Sequence, residues 1–517
     1  MPPIRIRLDW KRGALGVAFA AGSSVCAAQL VVPNQPPGLR FDAGVTARET
    51  YTDNILLAPV GNQKSGFATE VIPNLKLTEN SNLLRASVVY APDFLLYSGG
   101  YGHQTRENLN AIGTGQLVPN FLFLDAIGTV TQQRGSVLGP TSGDSPAINS
   151  NRLETRTYGI DPYIRGETSG GGNYYLRNDN VWTRTSNAEL PSSELRDYLA
   201  HFETAPQRTF GVAFDAAYNN IAFSGEPSLQ TEYGMLRPRY HPDPDVVLYG
   251  TGGYEHNNIT QGPRSNAIYG AELDWVPSRR TSATARWEHH FFGSSYLFSG
   301  QHRAGSAVFT LAATRGLGTF SQQTTQPPAG NTAALLDDAL DTTVTDPAQR
   351  ADMVNDTMRN GGLPPAAVPS QLYYAQGLLV SERQDGSLAW ITRATTTTLS
   401  VFRASTRNLI DSGAVNLPSA FVVGDRVKTV GYGLTFLWRV TLALNLTATG
   451  YHSVSESDEP LTQKSTQSTA RLTATQILNP KTNLTYGVRY TRFNTSSSNF
   501  TDYIERAVFV GVDRKLW

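Results

Sequence analysis

Large apolar residues alternate with small or polar residues over positions 429–449. The first half of this stretch holds one alternating set, namely Val430, Tyr432, Leu434, Phe436 and Trp438. After a corner at Arg439, the second half holds another, namely Leu442, Leu444, Leu446 and Ala448. Successive side chains of a β-strand point to opposite faces, so each run places its apolar side chains on one face. The stretch predicts two strands with one apolar and one polar face.

The same alternation recurs along nearly the whole chain from about Leu39 onward, and the connections between the runs alternate between tight turns and longer polar segments. Outer-membrane barrels have strands with one lipid face and one water face, short periplasmic turns and long external loops. We therefore expect an all-β fold, a single large antiparallel transmembrane β-barrel of about 22 strands, within a range of roughly 18 to 26. An even number of strands places both chain ends in the periplasm of a Gram-negative bacterium.

The N-terminus has the pattern of a secretory signal peptide. Arg5, Arg7, Lys11 and Arg12 form a basic region, and Gly13 to Ala21 form an apolar region too short to span a bilayer. Cleavage after Ala28 or Ala27 predicts a signal peptide at residues 1–28 and a barrel at 29–517. Cys26 is the only cysteine of the chain, so the mature protein is expected to contain no disulfide and no thiolate metal site.

Residues 317–370 interrupt the alternation. Asn331 to Ala339 and Asp346 to Arg359 have helical character, with Pro347 at a first helical turn. This loop or helical insertion has three possible placements: an extracellular cap, a loop folded into the lumen, or a disordered loop.

Composition and motifs favour neither an enzyme nor a cofactor protein. The 43 Lys and Arg residues equal the 43 Asp and Glu residues in number, whereas nucleic-acid binding normally leaves a basic excess, so no nucleic-acid partner is expected. His289 and His290 are neighbours and would face opposite sides of a strand, so they cannot chelate one metal ion together. No catalytic, cofactor or metal-binding motif is evident, and we expect no enzymatic activity.

Charged residues recur on the polar face of the predicted strands, which would line the lumen. The candidate lumen-lining residues are Arg85, Asp93, Asp125, Arg165, Arg177, Asp179, Glu272, Asp274, Arg286, Glu288, Arg471 and Arg489. One interpretation is a salt-bridged lining that stiffens the wall. The other is a surface that binds a hydroxyl-rich or anionic polymer through charged groups and nearby tyrosines. The two interpretations are compatible.

The chain ends in an aromatic residue, Trp517. Outer-membrane barrels commonly end in this way, and the barrel-assembly machinery reads the final strand. The expected partners are therefore outer-membrane lipid and this assembly machinery.

Two passages resemble the outer-membrane β-barrel porin family associated with PEP-CTERM protein sorting and exopolysaccharide systems. The first is Glu49-Thr50-Tyr51-Thr52-Asp53-Asn54-Ile55, which is similar to an early Tyr-x-Asp-Asn-Ile signature. The second comprises Pro277 to Thr281, Glu288 to Gly293 and His302-Arg303, with His290 where the family has Arg. The resemblance implies a barrel linked to polysaccharide export, with polysaccharide and periplasmic export components as further partners. It transfers no catalytic residue.

These observations predict an outer-membrane channel for exopolysaccharide export or secretion. A general or substrate-specific porin is the alternative within transport. A non-conducting structural or adhesive barrel that anchors surface polymer is the alternative from another class.

Overall fold

The structure is a computed structural model that describes residues 38–140, 145–187, 190–224, 228–259, 264–319, 332–340, 347–361, 363, 377–409, 426–458 and 462–516. The predicted signal peptide at 1–28 and the terminal Trp517 lie outside these residues. Within them, no helix is long and apolar enough to cross a membrane.

Strands dominate the described chain. The strand segments are β1 (Gly38–Thr52), β2 (Gly66–Asn80), β3 (Leu84–Tyr90), β4 (Asp93–Tyr97), β5 (His103–Arg106), β6 (Leu109–Val118), β7 (Leu122–Arg134), β8 (Arg152–Glu167), β9 (Asn173–Thr185), β10 (Ser193–Glu203), β11 (Phe210–Phe223), β12 (Leu229–Asp243), β13 (Val246–Asn257), β14 (Ser265–Ser278), β15 (Thr281–His290), β16 (Gly293–Ala304), β17 (Ala307–Gly318), β18 (Leu379–Ile391), β19 (Thr395–Asn408), β20 (Arg426–Arg439), β21 (Leu444–Ser457), β22 (Gln463–Asn479), β23 (Thr482–Thr495) and β24 (Tyr503–Lys515). The helices are α1 (Thr332–Leu340) and α2 (Pro347–Gly361).

Each strand pairs antiparallel with its neighbours in the chain, and β1 pairs with β24 to close the sheet. The segments β3 and β4 both pair with β2 and form one strand interrupted at Ala91 and Pro92. The segments β5 and β6 form the next strand, interrupted at Glu107 and Asn108. The 24 segments of the described chain therefore build a closed barrel of 22 strands, which confirms the predicted fold.

The alternation sorts side chains between the two faces of the barrel wall. On β20, Tyr432 is 54% exposed and Leu434 is 45% exposed, whereas Thr429 and Thr435 on the opposite face are buried. One part of the predicted strand pair is wrong, because Leu442 is fully exposed in the turn and β21 begins only at Leu444. The apolar run continues through a turn that contains no Gly, Pro, Asn or Asp.

The two ends of the barrel differ in the length of their connections. Short turns such as 81–83 and 440–443 lie at one end of the barrel. The start of β1 and the end of β24 lie at this same end. The long connections 53–65, 135–151 and 319–378 lie at the other end. In outer-membrane barrels the short turns face the periplasm and the long loops face outside, which gives the orientation used below.

The helices α1 and α2 belong to the long connection between β17 and β18, yet α2 ends at the short-turn end of the barrel. Asn445, on the inner face of β21, donates a 2.8 Å hydrogen bond to the carbonyl of Asn360 in α2. Thr447 donates to the carbonyl of Gly361, and Asn483 of β23 donates to the Asn360 side chain at 3.2 Å. All three donors project from the inner face, so α2 lies inside the barrel in its periplasmic mouth.

An apolar cluster fixes the helix pair in this mouth. Leu336 of α1 and Val354 of α2 pack with Leu363 and with Leu437 on the inner face of β20. Arg350 of α2 forms a 2.9 Å ion pair with Asp337 of α1. The sequence predicts helical character for Asn331 to Ala339 and Asp346 to Arg359, and the described helices begin one residue later and end one or two residues later than these stretches.

Candidate functional site in the barrel interior

All twelve charged residues singled out in the sequence lie on the polar face of their strands, opposite the exposed apolar side chains. Eight are buried, namely Asp93, Asp125, Arg177, Asp179, Glu272, Arg286, Glu288 and Arg489. Asp274 and Arg471 are half-buried, and Arg85 and Arg165 are exposed towards the short-turn end. They form several separate clusters along the wall rather than one common site.

Arg177 organises a cluster of aspartates on β7 to β10. Its guanidinium donates to Asp125 at 2.7 Å, to Asp161 at 3.0 Å and to Asp179. The register sets Asp125 opposite Asp161, and Asp179 opposite Asp197. Like charges directly opposite each other destabilise a sheet. A single arginine shared by three carboxylates offsets this repulsion, which is the role expected of a salt-bridged lining.

A second cluster joins β10 to β15. Arg237 contacts Asp215 at 3.5 Å and also pairs with Glu272, and Arg286 donates to Glu272 at 2.6 Å. His201 lies 2.6 Å from the other oxygen of Asp215. Each charge has an opposite charge within contact distance, so the cluster is a cross-braced part of the wall.

His289 and His290 face opposite sides of β15, as their adjacent positions predict. His289 stacks on the exposed ring of Tyr269 with centroids 4.9 Å apart. His290 is buried inside, with Nδ1 at 3.0 Å from Glu255 and Nε2 at 3.5 Å from Glu288. Among the described residues, no group of three or more His, Cys, Asp or Glu side chains is arranged to hold a metal ion.

The connection 135–151 folds inward at the long-loop end. Arg106 and the Tyr97 hydroxyl donate to the carbonyl of Pro146 at 3.2 and 2.8 Å. Ser145 accepts a 3.0 Å hydrogen bond from Arg489, which also pairs with Glu505 of β24 at 2.9 Å.

Val137 and Leu138 of the same connection pack against Val427 of β20. Strands β7 and β20 lie nearly opposite each other in the ring. The connection therefore crosses the interior at the extracellular end.

A further apolar cluster lies inside the same end. Its buried members come from β9, β10, β11, β17 and β18 and from the connections beside them, namely Val181, Leu195, Ile221, Phe223, Ile259, Phe292, Leu317, Leu378 and Val380. Inward apolar residues at the tips of so many strands narrow the extracellular mouth. The interior is thus obstructed at both ends by segments of the chain itself.

The inner faces of β19, of β20 from Val427 to Leu437, and of β21 form a stretch of three neighbouring strands without a charged side chain. The register aligns Thr398 of β19 with Thr435 of β20, and Thr435 with Thr449 of β21. One row nearer the periplasm, Thr396 lies opposite Leu437 and Leu437 opposite Thr447. These three inner faces present a wall of hydroxyls beneath α1 and α2, which we call the threonine wall.

The sequence interpretation missed several members of these clusters, among them Asp161, Asp215, Arg237, Glu255 and Glu505. The alternation of apolar and polar residues could have shown that these side chains face the interior, since Arg237 for example lies between the outward-facing Leu236 and Pro238. The threonine wall carries a weaker signal, because threonine is common in strands of every kind.

Comparisons with known proteins assign no family to this chain. No family model matches the sequence, and no curated protein matches it either. The closed barrel, with apolar residues outside and paired charges inside, is the architecture of an outer-membrane β-barrel protein. The resemblance to barrels of PEP-CTERM and exopolysaccharide systems therefore has no further support from sequence.

Among solved structures, the chain is similar to a mutant ferric enterobactin receptor of Pseudomonas aeruginosa, with 11% identity, a TM-score of 0.47 and coverage of 93% of this chain and 81% of the other. The FrpB iron transporter of Neisseria meningitidis gives 11% identity, a TM-score of 0.48 and coverage of 96% and 86%. OccK2 of Pseudomonas aeruginosa gives 11% identity, a TM-score of 0.34 and coverage of 92% and 98%. These similarities are too remote to assign a ligand or an activity to this chain.

Proposed function

We propose that the protein is a gated outer-membrane channel for a hydrophilic substrate, with exopolysaccharide leaving the cell as the first candidate. The observation that carries this proposal is the position of α1 and α2, which occupy the periplasmic mouth of a barrel whose inner wall is polar. A barrel of this strand number is wide enough for an aqueous channel or a plugged lumen. A plug held by few polar contacts and one apolar cluster can move without unfolding the wall.

The ion-paired clusters support a stable wall rather than a strong fixed charge. Because the arginines and carboxylates neutralise one another, we expect the wall to neither trap nor repel a large hydrophilic substrate. The proposal involves no chemical step and no cofactor. Insertion by the barrel-assembly machinery and contact with periplasmic export components are part of the same proposal.

A substrate-specific porin is the second candidate, favoured by the same obstructed interior. A non-conducting barrel that anchors surface polymer is the candidate of another class. A conductance measurement distinguishes the two channel candidates from the non-conducting barrel. The size of the solute that permeates distinguishes the exopolysaccharide channel from the porin.

The test compares the mature chain from Gln29 with a variant in which residues 325–366 are replaced by a short Gly/Ser linker. Both are reconstituted into planar bilayers after heat-modifiable migration and a β-rich circular dichroism spectrum have established folding. We expect rare, small openings for the mature chain and a steady, larger conductance for the deletion. A folded deletion variant without conductance would exclude a channel and favour the anchoring barrel.

A further inference from the structure

We propose that the uncharged threonine wall of β19 to β21 is a binding track for a neutral saccharide, and that α1 and α2 cover this track when the channel is closed. The inference rests on the proposed channel function and names the substrate class of its interior.

Three hydroxyls of this wall are buried without a partner. The side-chain oxygens of Thr396, Thr398 and Thr435 have no hydrogen-bond partner among the described residues, and each residue is at most 2% exposed. Burying a hydroxyl without a hydrogen bond is unfavourable. These three groups on two neighbouring strands are hydrogen-bonding capacity that the closed protein leaves unused.

The helix pair lies over the same surface. Leu336, Val354 and Leu363 pack on Leu437, which the register places directly opposite both Thr396 and Thr447. Thr447 itself donates to the carbonyl of Gly361. A ligand on the track and the docked helices would therefore occupy the same space, so binding and closure compete.

The chemistry of the track selects the ligand class. Its side chains are hydroxyls and an amide, which both donate and accept hydrogen bonds, as the hydroxyls of a sugar do. Farther along the same inner faces, Phe402 and Tyr451 pack together and add an apolar surface suited to the face of a sugar ring. An acidic sugar would need a cation, and the inner faces of β19, β20 from Val427 to Leu437, and β21 carry none. The cation beside them, Arg471 of β22, extends the other way and lies 4.5 Å from the ring centroid of Phe509 on β24. Neutral saccharides are therefore the class that this wall fits.

The test uses the variant with residues 325–366 replaced by a linker, because its track is uncovered. Maltohexaose is the neutral probe, and an oligogalacturonate of the same length is the anionic probe. Isothermal titration calorimetry in detergent measures binding without requiring a pore, and bilayer recordings measure block of the current. We expect maltohexaose to bind and to block, and the anionic probe to do neither.

Replacing two hydroxyls tests the location. Thr398→Val with Thr435→Val keeps the side-chain size and removes two hydrogen bonds to the ligand, so the affinity for maltohexaose should fall about tenfold. Thr157→Val with Thr183→Val removes a hydroxyl pair on the opposite wall and should leave the affinity unchanged.

Three results would overturn the proposal: no binding of maltohexaose, preferred binding of the anionic probe, or equal affinity in both double variants. The last would mean that the track hydroxyls hold only water. Saccharide binding without any conductance would instead contradict the channel function and leave the binding track in place.

Discussion

Arg177 shows how much of the wall depends on single residues. It is the only cation in direct contact with Asp125, Asp161 and Asp179 among the ion pairs of the described chain. The sequence predicted that Arg177 and two of these aspartates share the polar face, because a period of two is a local property. It could not predict the three-way contact, which depends on the register of β7, β8 and β9.

Replacing Arg177 with methionine should therefore destabilise the barrel by about 3–5 kcal/mol, since it leaves buried carboxylates without a counter-charge. Adding Asp161→Asn and Asp179→Asn to Arg177→Met removes two of the three uncompensated charges and should recover part of the loss. Reversible urea unfolding in lipid vesicles measures both. Equal stability of the wild type and the single variant would show that the cluster is not a structural brace.

The two faces of β17 allow a test with adjacent residues. Leu311 is 59% exposed on the outer face, and Thr310 lies on the inner face between Gln301 and Ser387. Leu311→Arg should destabilise the folded barrel by about 2–4 kcal/mol near the bilayer midplane. Thr310→Arg places the same charge in a polar interior and should cost clearly less. If the inner variant is the less stable one in the same unfolding assay, the assignment of faces is wrong.

At the scale of elements, the strands could be predicted from the sequence, whereas the position of the helices could not. In each strand the alternation of apolar and polar residues shows which side chains share a face, as in β20 between Val430 and Trp438. The placement of α2 depends on Asn445, Thr447 and Asn483, which look like ordinary polar-face residues of their strands. Only the fold brings them to the end of a helix that is distant in sequence.

The mobility of α2 can be tested by locking it to the wall. Asn360 and Asn483 are joined by a 3.2 Å side-chain hydrogen bond, and residues 29–517 contain no cysteine. The pair Asn360→Cys and Asn483→Cys should form a disulfide under oxidation and abolish the rare channel openings, and a reductant should restore them. Each single variant serves as the control. Openings that persist in the fully oxidised protein would show that ions bypass α2.

At the scale of the molecule, the chain obtains its stability from closure, since a closed barrel leaves no unpaired strand edge in the membrane. Closure depends on β1 and β24, which pair from Gly44 with Lys515 to Thr52 with Ala507. The strand count could be predicted from the sequence because most strands have a similar length and are followed by a turn signal. The interrupted strands β3–β4 and β5–β6 show the limit of that count, since a break inside a strand and a turn look alike in sequence.

The closing pair can be trapped chemically, which tests the whole topology in one experiment. Ala47 of β1 lies directly opposite Val512 of β24, and Leu484 of β23 lies opposite Val512 on its other side. Neighbouring strands are about 4.8 Å apart, within the reach of a disulfide, whereas two strand spacings of about 10 Å exceed it. Ala47→Cys with Val512→Cys should therefore cross-link in the folded protein, and Ala47→Cys with Leu484→Cys should not. The cross-linked chain is a covalent ring from residue 47 to residue 512, so after heat denaturation it should migrate differently from its reduced form. A cross-link in the second pair alone would place β23 beside β1 and exclude β24 as the closing strand.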